Sequence, residues 1–155
     1  MKNLLVNRKY QGIVNNKIAD VQLDFKTTSA GTYLKNLYNG VLLFPAPKNV
    51  IFIKLLLSLF EEKDYYVMDF FAGSATTAQA VLELNAGDNG NRKYIMIQIP
   101  ERCPEKSEAF KLGYNTICEI GEERVRCAAK KIKKQTNAEI DYGFKVYKIE
   151  NSNIE

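Results

Sequence analysis

The sequence contains no histidine and no tryptophan, and it has only three cysteines and four prolines among its 155 residues. The missing histidine excludes Ser-His-Asp and Cys-His catalytic sites, histidine-ligated metals and any side chain with an unperturbed pKa near neutrality. Cys103, Cys118 and Cys127 form no C-x-x-C pair, so we expect three free thiols in a reducing compartment and no zinc site. Chemistry in this chain must come from a cofactor, a carboxylate, a lysine or another chain.

Long hydrophobic runs are also absent. The longest, from Val50 to Phe60, is interrupted by Lys54 and is too short to cross a bilayer. The first residues do not have the pattern of a secretory signal. We therefore expect a cytoplasmic protein with no membrane partner, and a composition of 46% hydrophobic and 26% charged residues is that of an ordinary globular domain.

The net charge of +4 is modest but unevenly distributed. The segment from Arg124 to Lys148 carries eight basic residues and only two acidic ones. A basic surface of this kind can neutralise the phosphates of a nucleic acid. The same pattern also fits a solvated helix end whose cations complement the helix dipole, and charge alone favours this second interpretation.

The hydrophobic pattern predicts alternating helices and strands. Residues 18–25 fit a short strand or loop edge, and 27–31 fit a turn or capping stretch before a run with helical spacing at Leu34, Leu37 and Tyr38. Downstream we predict six further elements. They are a helix at 50–60, a buried strand at 65–71, a helix at 75–86 that is stopped by Gly87, a second strand at 94–99, a helix at 117–135 and a third strand at 143–149. This order indicates an α/β fold with a parallel sheet.

The turn after the first buried strand is the most informative stretch, because ligands of open parallel sheets bind outside the carboxyl ends of the strands. Asp69 lies near the strand end, Gly73 allows close approach of a ligand, and Ser74, Thr76 and Thr77 place hydroxyls at a helix N-terminus. An NTPase phosphate loop requires a lysine, and a dinucleotide site requires three glycines; the turn has neither feature. An S-adenosylmethionine site and a plain strand-to-helix turn fit about equally well.

The segment from Val67 to Ala78 closely resembles the cofactor-binding motif D-x-F-x-G-S-G-T-T of amino-methylating DNA methyltransferases. The continuation at 84–101, 113–126 and 142–148 is similar to the adenine-specific modification subunit of type III restriction–modification systems, in its C-terminal cofactor-binding portion. This resemblance implies a partial Rossmann-like, S-adenosylmethionine-dependent methyltransferase fold with a mainly parallel sheet. It also implies three parts of the chain. Residues 1–40 would be the tail of an upstream region, residues 41–150 an α/β cofactor-binding domain, and residues 151–155 a short C-terminal tail.

The resemblance implies S-adenosylmethionine as the cofactor and assigns its contacts to particular positions. Ser74, Thr76, Asp69 and the neighbouring backbone would hold the methionine end, Lys48 would lie near the cofactor's carboxylate, and Gln98 would bond the ribose hydroxyls. The full set of implied binding residues is Lys48, Asp69, Phe70, Phe71, Ala72, Gly73, Ser74, Thr76 and Gln98. Without the resemblance, an exposed lysine and a strand-end amide bonded to backbone would be the favoured interpretations of Lys48 and Gln98.

Two positions depart from the family pattern. Ala75 stands where the motif has its second glycine, and Asn49 stands where the family's F-x-x-P-K-P segment has its last proline. If position 75 requires a positive φ or close contact with the ligand, a Cβ there costs on the order of 1 kcal/mol or more. We expect this departure to weaken the cofactor site severalfold without abolishing it.

A catalytic motif for adenine methylation is missing from this sequence. Enzymes of this class grip the amino group of a flipped base with a D-P-P-Y motif, whereas no two prolines are adjacent here. We therefore expect no catalytic residue in the chain. The resemblance implies a fragment or split subunit of a DNA adenine-N6 methyltransferase, with DNA, an upstream methyltransferase half and a restriction subunit as partners. An inactive S-adenosylmethionine-binding remnant or stand-alone module is the alternative, and an unrelated nucleotide-binding domain is a weaker third.

Overall fold

A computed structural model describes residues 9–14, 17–22 and 27–149 of the chain, with side chains from residue 28 onward. The predicted tail at 151–155 lies outside this part. The elements in chain order are β1 Lys9–Val14, β2 Lys17–Gln22, α1 Thr27–Leu37, α2 Val50–Leu57, β3 Tyr66–Asp69, α3 Thr76–Asp88, β4 Lys93–Met96, α4 Glu108–Lys111 and α5 Ile117–Thr136.

The two N-terminal strands form an antiparallel hairpin. Lys9 pairs with Gln22 at one end of the register, and Val14 pairs with Lys17 at the other. The strand predicted at 18–25 therefore corresponds to β2, although its last three residues lie outside the described part of the chain. This hairpin is a sheet of its own, separate from β3 and β4.

Helix α1 begins earlier than predicted. The expectation of a turn or capping stretch at 27–31 is wrong, because the helix already starts at Thr27. Ala30 is buried together with Leu34 and Leu37, and these three residues continue one apolar stripe back into the first turns. Leu34 and Leu37 belong to the same hydrophobic cluster as α3 and α5. Burial of this stripe outweighs the low helix propensity of the threonines, serine and glycine.

The parallel pairing predicted for the two buried strands is confirmed. Strand β3 runs parallel to β4, with Tyr66 opposite Lys93 and Asp69 opposite Met96. Helix α3 connects them, as a crossover between parallel strands requires. Tyr94 and Met96 pack against the hydrophobic cluster on the side of α3 and α5. The sheet thus has one covered face, and its carboxyl edge lies at the turn that leads into α3.

The third strand predicted at 143–149 is wrong. These residues belong to no strand, and the parallel sheet has two strands in the described part of the chain. Phe144 packs against the hydrophobic cluster, whereas Val146, Tyr147 and Ile149 are exposed, so the alternation of this segment does not mark a buried strand face. A strand also needs a hydrogen-bonded neighbour, and these residues pair with no strand in the described part of the chain.

Helix ends agree with prediction to different degrees. Helix α5 matches its predicted range to within one residue and begins at the N-cap Thr116, which accepts from the Glu119 amide. Helix α2 ends three residues before the predicted Phe60. Gly87 does not stop α3; the helix continues to Asp88, and Asn89 ends it in the left-handed conformation with φ of 56°. The segment between β4 and α5 contains the short helix α4, for which the sequence analysis has no prediction.

Two features are absent from the described residues, a membrane-spanning helix and a metal-binding cluster. None of the helices combines the length and apolar character that crossing a bilayer requires. No group of three or more Cys, Asp or Glu residues there is arranged to hold a metal ion. Cys103, Cys118 and Cys127 are free thiols, and burial raises the pKa of each of them.

Candidate functional site

The turn between β3 and α3 lies at the carboxyl edge of the parallel sheet, where such folds bind ligands. Its backbone is fixed by two hydrogen bonds: the Ala72 amide donates to the Ile97 carbonyl at 3.2 Å, and the Ala75 amide donates to the Ala72 carbonyl at 2.7 Å. Gly73 and Ala75 both take left-handed conformations, with φ of 51° and 57°. The turn is therefore tied to the neighbouring strand and closed on itself.

The Asp69 carboxylate organises both ends of this turn. One oxygen accepts from the Phe71 amide at 3.1 Å, and the other accepts from the Thr77 hydroxyl at 2.6 Å. The carboxylate thereby links the end of β3 to the first turn of α3. An acidic side chain at a helix N-terminus is also favoured by the helix dipole.

Gln98 connects the turn to the chain that follows β4. Its Oε1 accepts from the Gly73 amide at 2.8 Å, and its Nε2 donates to the Ile99 carbonyl at 3.1 Å. Both polar atoms of the side chain are bonded to backbone in this structure. Gln98 therefore positions Gly73, and a contact between Gln98 and a ribose stays a prediction.

Ser74 and Thr76 are buried and are bonded to Arg124 of α5. The Nη1 atom of Arg124 donates to the Ser74 hydroxyl at 2.9 Å and to the Thr76 hydroxyl at 2.6 Å. Its Nε donates to Gln79 Oε1 at 2.7 Å. Arg124 is 1% exposed, and burial lowers its pKa to about 10, so it remains charged at neutral pH.

The role of Arg124 is not predicted from the sequence. The charge pattern assigns Arg124 to a basic surface, whereas the structure places it in the interior. A signal was present: Ile120, Arg124 and Ala128 are spaced four residues apart on the apolar stripe of α5. A charged side chain at a core position of an amphipathic helix indicates a buried polar partner.

Ala75 takes a left-handed conformation at the position where the family motif has its second glycine. Its side chain is buried in the hydrophobic cluster rather than exposed in the turn. It faces Gly121 of α5, where an added Cβ would lie 3.4 Å from the Ala75 Cβ and 3.3 Å from the Gly73 carbonyl oxygen. Position 75 thus has a positive φ, and its methyl group is directed at a helix that has a glycine opposite it.

The remaining predicted site residues lie on the rim or apart from the turn. Phe70 and Phe71 are 62% and 88% exposed, whereas Ala72 is buried. Lys48 is exposed, and it forms no hydrogen bond or ion pair with any described residue. Its segment nevertheless reaches the turn, because the Phe44 ring lies 3.6 Å from where a Cβ on Gly73 would be.

These residues fit a small ligand with both charged and apolar parts. The turn offers a closely approachable backbone at Gly73, hydroxyls held by a buried cation, and exposed aromatic rings beside them. A cleft of about 350 Å³ lies on another face of α3, where Tyr33, Lys54, Glu83 and Lys131 contribute to its lining. That cleft does not include the turn.

A model of the DNA methylase family matches residues 7–131 of the chain. The chain belongs to the DNA methylase family. It is 42% identical over 123 residues to the type III restriction–modification enzyme EcoPI Mod subunit of Escherichia phage P1, and 43% identical over 106 residues to the StyLTI Mod subunit of Salmonella typhimurium. It is also 35% identical over 81 residues to the type II methyltransferase M.KpnI of Klebsiella pneumoniae.

These matches confirm the resemblance to type III modification subunits that the motifs indicated. The alignments cover 79%, 68% and 52% of this DNA methylase chain for the three relatives named, but only 19%, 16% and 19% of those relatives. The chain thus spans about a fifth of their length. Membership of a methylase family implies a methyl donor as cofactor.

Proposed function

We propose that this chain is the S-adenosylmethionine-binding portion of a DNA adenine-N6 methyltransferase with a Rossmann-like fold. The observation that carries the proposal is the turn between Asp69 and Thr77, which lies at the carboxyl edge of a parallel sheet and combines left-handed backbone with buried hydroxyls. Its sequence matches a family of DNA methylases. The relatives are named as modification subunits of type III restriction–modification enzymes, which supports DNA as the substrate of the whole enzyme.

Each predicted site residue has a part in this proposal. The methionine end of the cofactor lies at Ser74, Thr76 and the backbone of residues 70–73, while Asp69 holds the turn closed through the Phe71 amide and the Thr77 hydroxyl. Lys48 supplies a cation for the ligand's carboxylate from the segment that reaches Gly73. Gln98 bonds a ribose hydroxyl by exchanging one of its backbone partners.

The site for the target base lies in another part of the enzyme in this proposal. The sequence has no D-P-P-Y motif. One face of the parallel sheet is also uncovered by described residues and exposes an apolar set, Tyr66, Met68, Phe70, Ile95, Ile97 and Ile99. Parallel sheets are normally buried on both faces, so this face supports a second layer contributed by further polypeptide.

Transfer of labelled methyl groups from S-adenosylmethionine to adenine in DNA tests this division of roles. The chain alone should incorporate no label, and mixing with a polypeptide that carries the D-P-P-Y segment of a type III modification subunit should restore incorporation. Turnover by the chain alone would contradict the proposed location of the base site. Cofactor binding without restored turnover would favour a stand-alone binding module instead.

A further inference from the structure

The guanidinium of Arg124 is buried, and its partners in the described part of the chain include no carboxylate. The four hydrogen bonds that it makes to described residues go to neutral oxygens, namely the Gln79 side-chain amide, the Ser74 carbonyl and the hydroxyls of Ser74 and Thr76. Among the described residues, no carboxylate lies within ion-pair distance of it. A buried charge without a counter-charge is costly, so its retention beneath the turn requires an explanation.

The nearest acidic group is already balanced. Gln79, which accepts from Arg124, also donates to Tyr33 and to Glu83 at 3.0 and 2.9 Å. Glu83 in turn forms an ion pair with Lys54 at 3.0 Å. The positive charge of Arg124 therefore remains available to a negative group that binds at the turn.

Arg124 also determines how the two hydroxyls can be used. A guanidinium only donates hydrogen bonds, so the oxygens of Ser74 and Thr76 must accept from it, and each hydroxyl keeps its own hydrogen to donate. Neither hydroxyl donates to another residue in the described part of the chain. Each hydroxyl can therefore donate to an acceptor that binds at the turn, as a carboxylate would be.

We propose that Arg124 is a positioning residue that shapes the turn and selects the carboxylate end of the cofactor. It holds residues 74–76 in the binding conformation, orients the two hydroxyls as donors and places a positive charge beneath them. This inference rests on the proposed function, since it assumes that the turn binds the amino-acid end of S-adenosylmethionine.

Calorimetry on Arg124→Met and Arg124→Lys tests the proposal with two ligands, S-adenosylhomocysteine and methylthioadenosine. The second ligand lacks the amino-acid end. Arg124→Met should weaken binding of S-adenosylhomocysteine by about tenfold or more, and binding of methylthioadenosine by less than about twofold. Arg124→Lys keeps the positive charge, so it should lose less affinity for S-adenosylhomocysteine than Arg124→Met does. Arg126→Met is the matched control and should change neither affinity, because Arg126 is half exposed and pairs with Glu122.

Amide hydrogen exchange in the ligand-free proteins supplies a second readout. The amides of residues 72–77 should exchange about tenfold faster in Arg124→Met than in the wild type. Their exchange rates should be unchanged in Arg126→Met. If Arg124→Met does not fold, Arg124→Lys is judged by the same two measurements. Equal losses for both ligands, or unchanged affinities and exchange, would overturn the proposal. A wild-type chain that binds neither ligand would contradict the proposed function instead, and exchange would then decide whether Arg124 orders the turn.

Discussion

At the scale of single residues, the site depends on a close contact between the turn and α5. Ala75 and Gly73 take left-handed conformations, and Gly121 leaves the space that this backbone occupies. The family motif has glycine at position 75, so the alanine here adds a methyl group that must be accommodated. The glycine of α5 leaves room for this methyl group, which is buried against the helix.

Substitution of Gly121 should therefore disturb the turn. In Gly121→Ala, the new Cβ would lie 3.3 Å from the Gly73 carbonyl and 3.4 Å from the Ala75 Cβ, so the turn or the helix must shift. We expect a loss of roughly 1–3 kcal/mol in the free energy of unfolding, measured by urea titration. Gly87→Ala is the control, because nothing lies within 4 Å of its added Cβ and it should stabilise α3 by roughly 0.5–1 kcal/mol. Equal changes in the free energy of unfolding for the two variants would contradict a close contact between Gly121 and the turn.

Cys127 gives a pH dependence that can be isolated. Burial and the neighbouring Glu123 carboxylate raise the pKa of its thiol from 9.0 to about 11. Between these values the folded state binds more protons than the unfolded state, so stability should fall as pH rises through this interval. Urea midpoints at pH 8 and pH 10.5 should differ more for the wild type than for Cys127→Ala. An equal difference in both proteins would exclude this contribution.

At the scale of secondary-structure elements, the existence and type of β3, α3, β4 and α5 were predicted correctly because their patterns are local, whereas the short helix α4 was not predicted. The apolar run of β3, the short turn and the 3.6-residue stripe of α5 each determine an element without distant partners. The prediction of a third strand at 143–149 was wrong because a strand depends on a hydrogen-bonded neighbour that the sequence does not reveal. For the site, motif positions were predictable, whereas the bonds from Arg124 to Ser74 and Thr76 join residues 50 and 48 positions apart.

Helix α2 shows how a departure from the family pattern is used locally. Asn49, which replaces a proline, is the N-cap of α2 and accepts from the amides of Ile51 and Phe52 at 2.9 and 3.3 Å. Asn49→Ala should lower the free energy of unfolding by about 1 kcal/mol, while Asn49→Asp should preserve it. Urea titration of the two variants checks this, and equal stabilities would show that the cap contributes nothing.

Fewer basic residues are free and exposed along α5 than its sequence suggested. Arg124 is buried, and Arg126 pairs with Glu122 and Glu123 at 2.8 and 3.6 Å. We propose that the exposed Lys130, Lys133 and Lys134 contact DNA phosphates through charge alone. DNA affinity should fall steeply with salt, and replacing all three with Gln should flatten that dependence. Binding that does not respond to salt would exclude this surface.

At the scale of the whole molecule, the uncovered sheet face has a predictable consequence. Met68 and Ile95 lie opposite each other in the register and are 49% and 40% exposed. We expect the chain to self-associate through this apolar face and the sheet edges beside it. A Met68→Lys, Ile95→Lys variant should have a smaller mass by light scattering at the same concentration. An unchanged mass would mean that another surface mediates association.

The proposed function depends on binding of a methyl donor at the turn from Asp69 to Thr77. Calorimetric titration of the chain with S-adenosylmethionine, and separately with NAD and ATP, decides whether such binding occurs. We expect saturable binding of one S-adenosylmethionine per chain and no heat of binding for the other two. A chain that takes up no S-adenosylmethionine, or that binds NAD or ATP equally well, would exclude the proposed function.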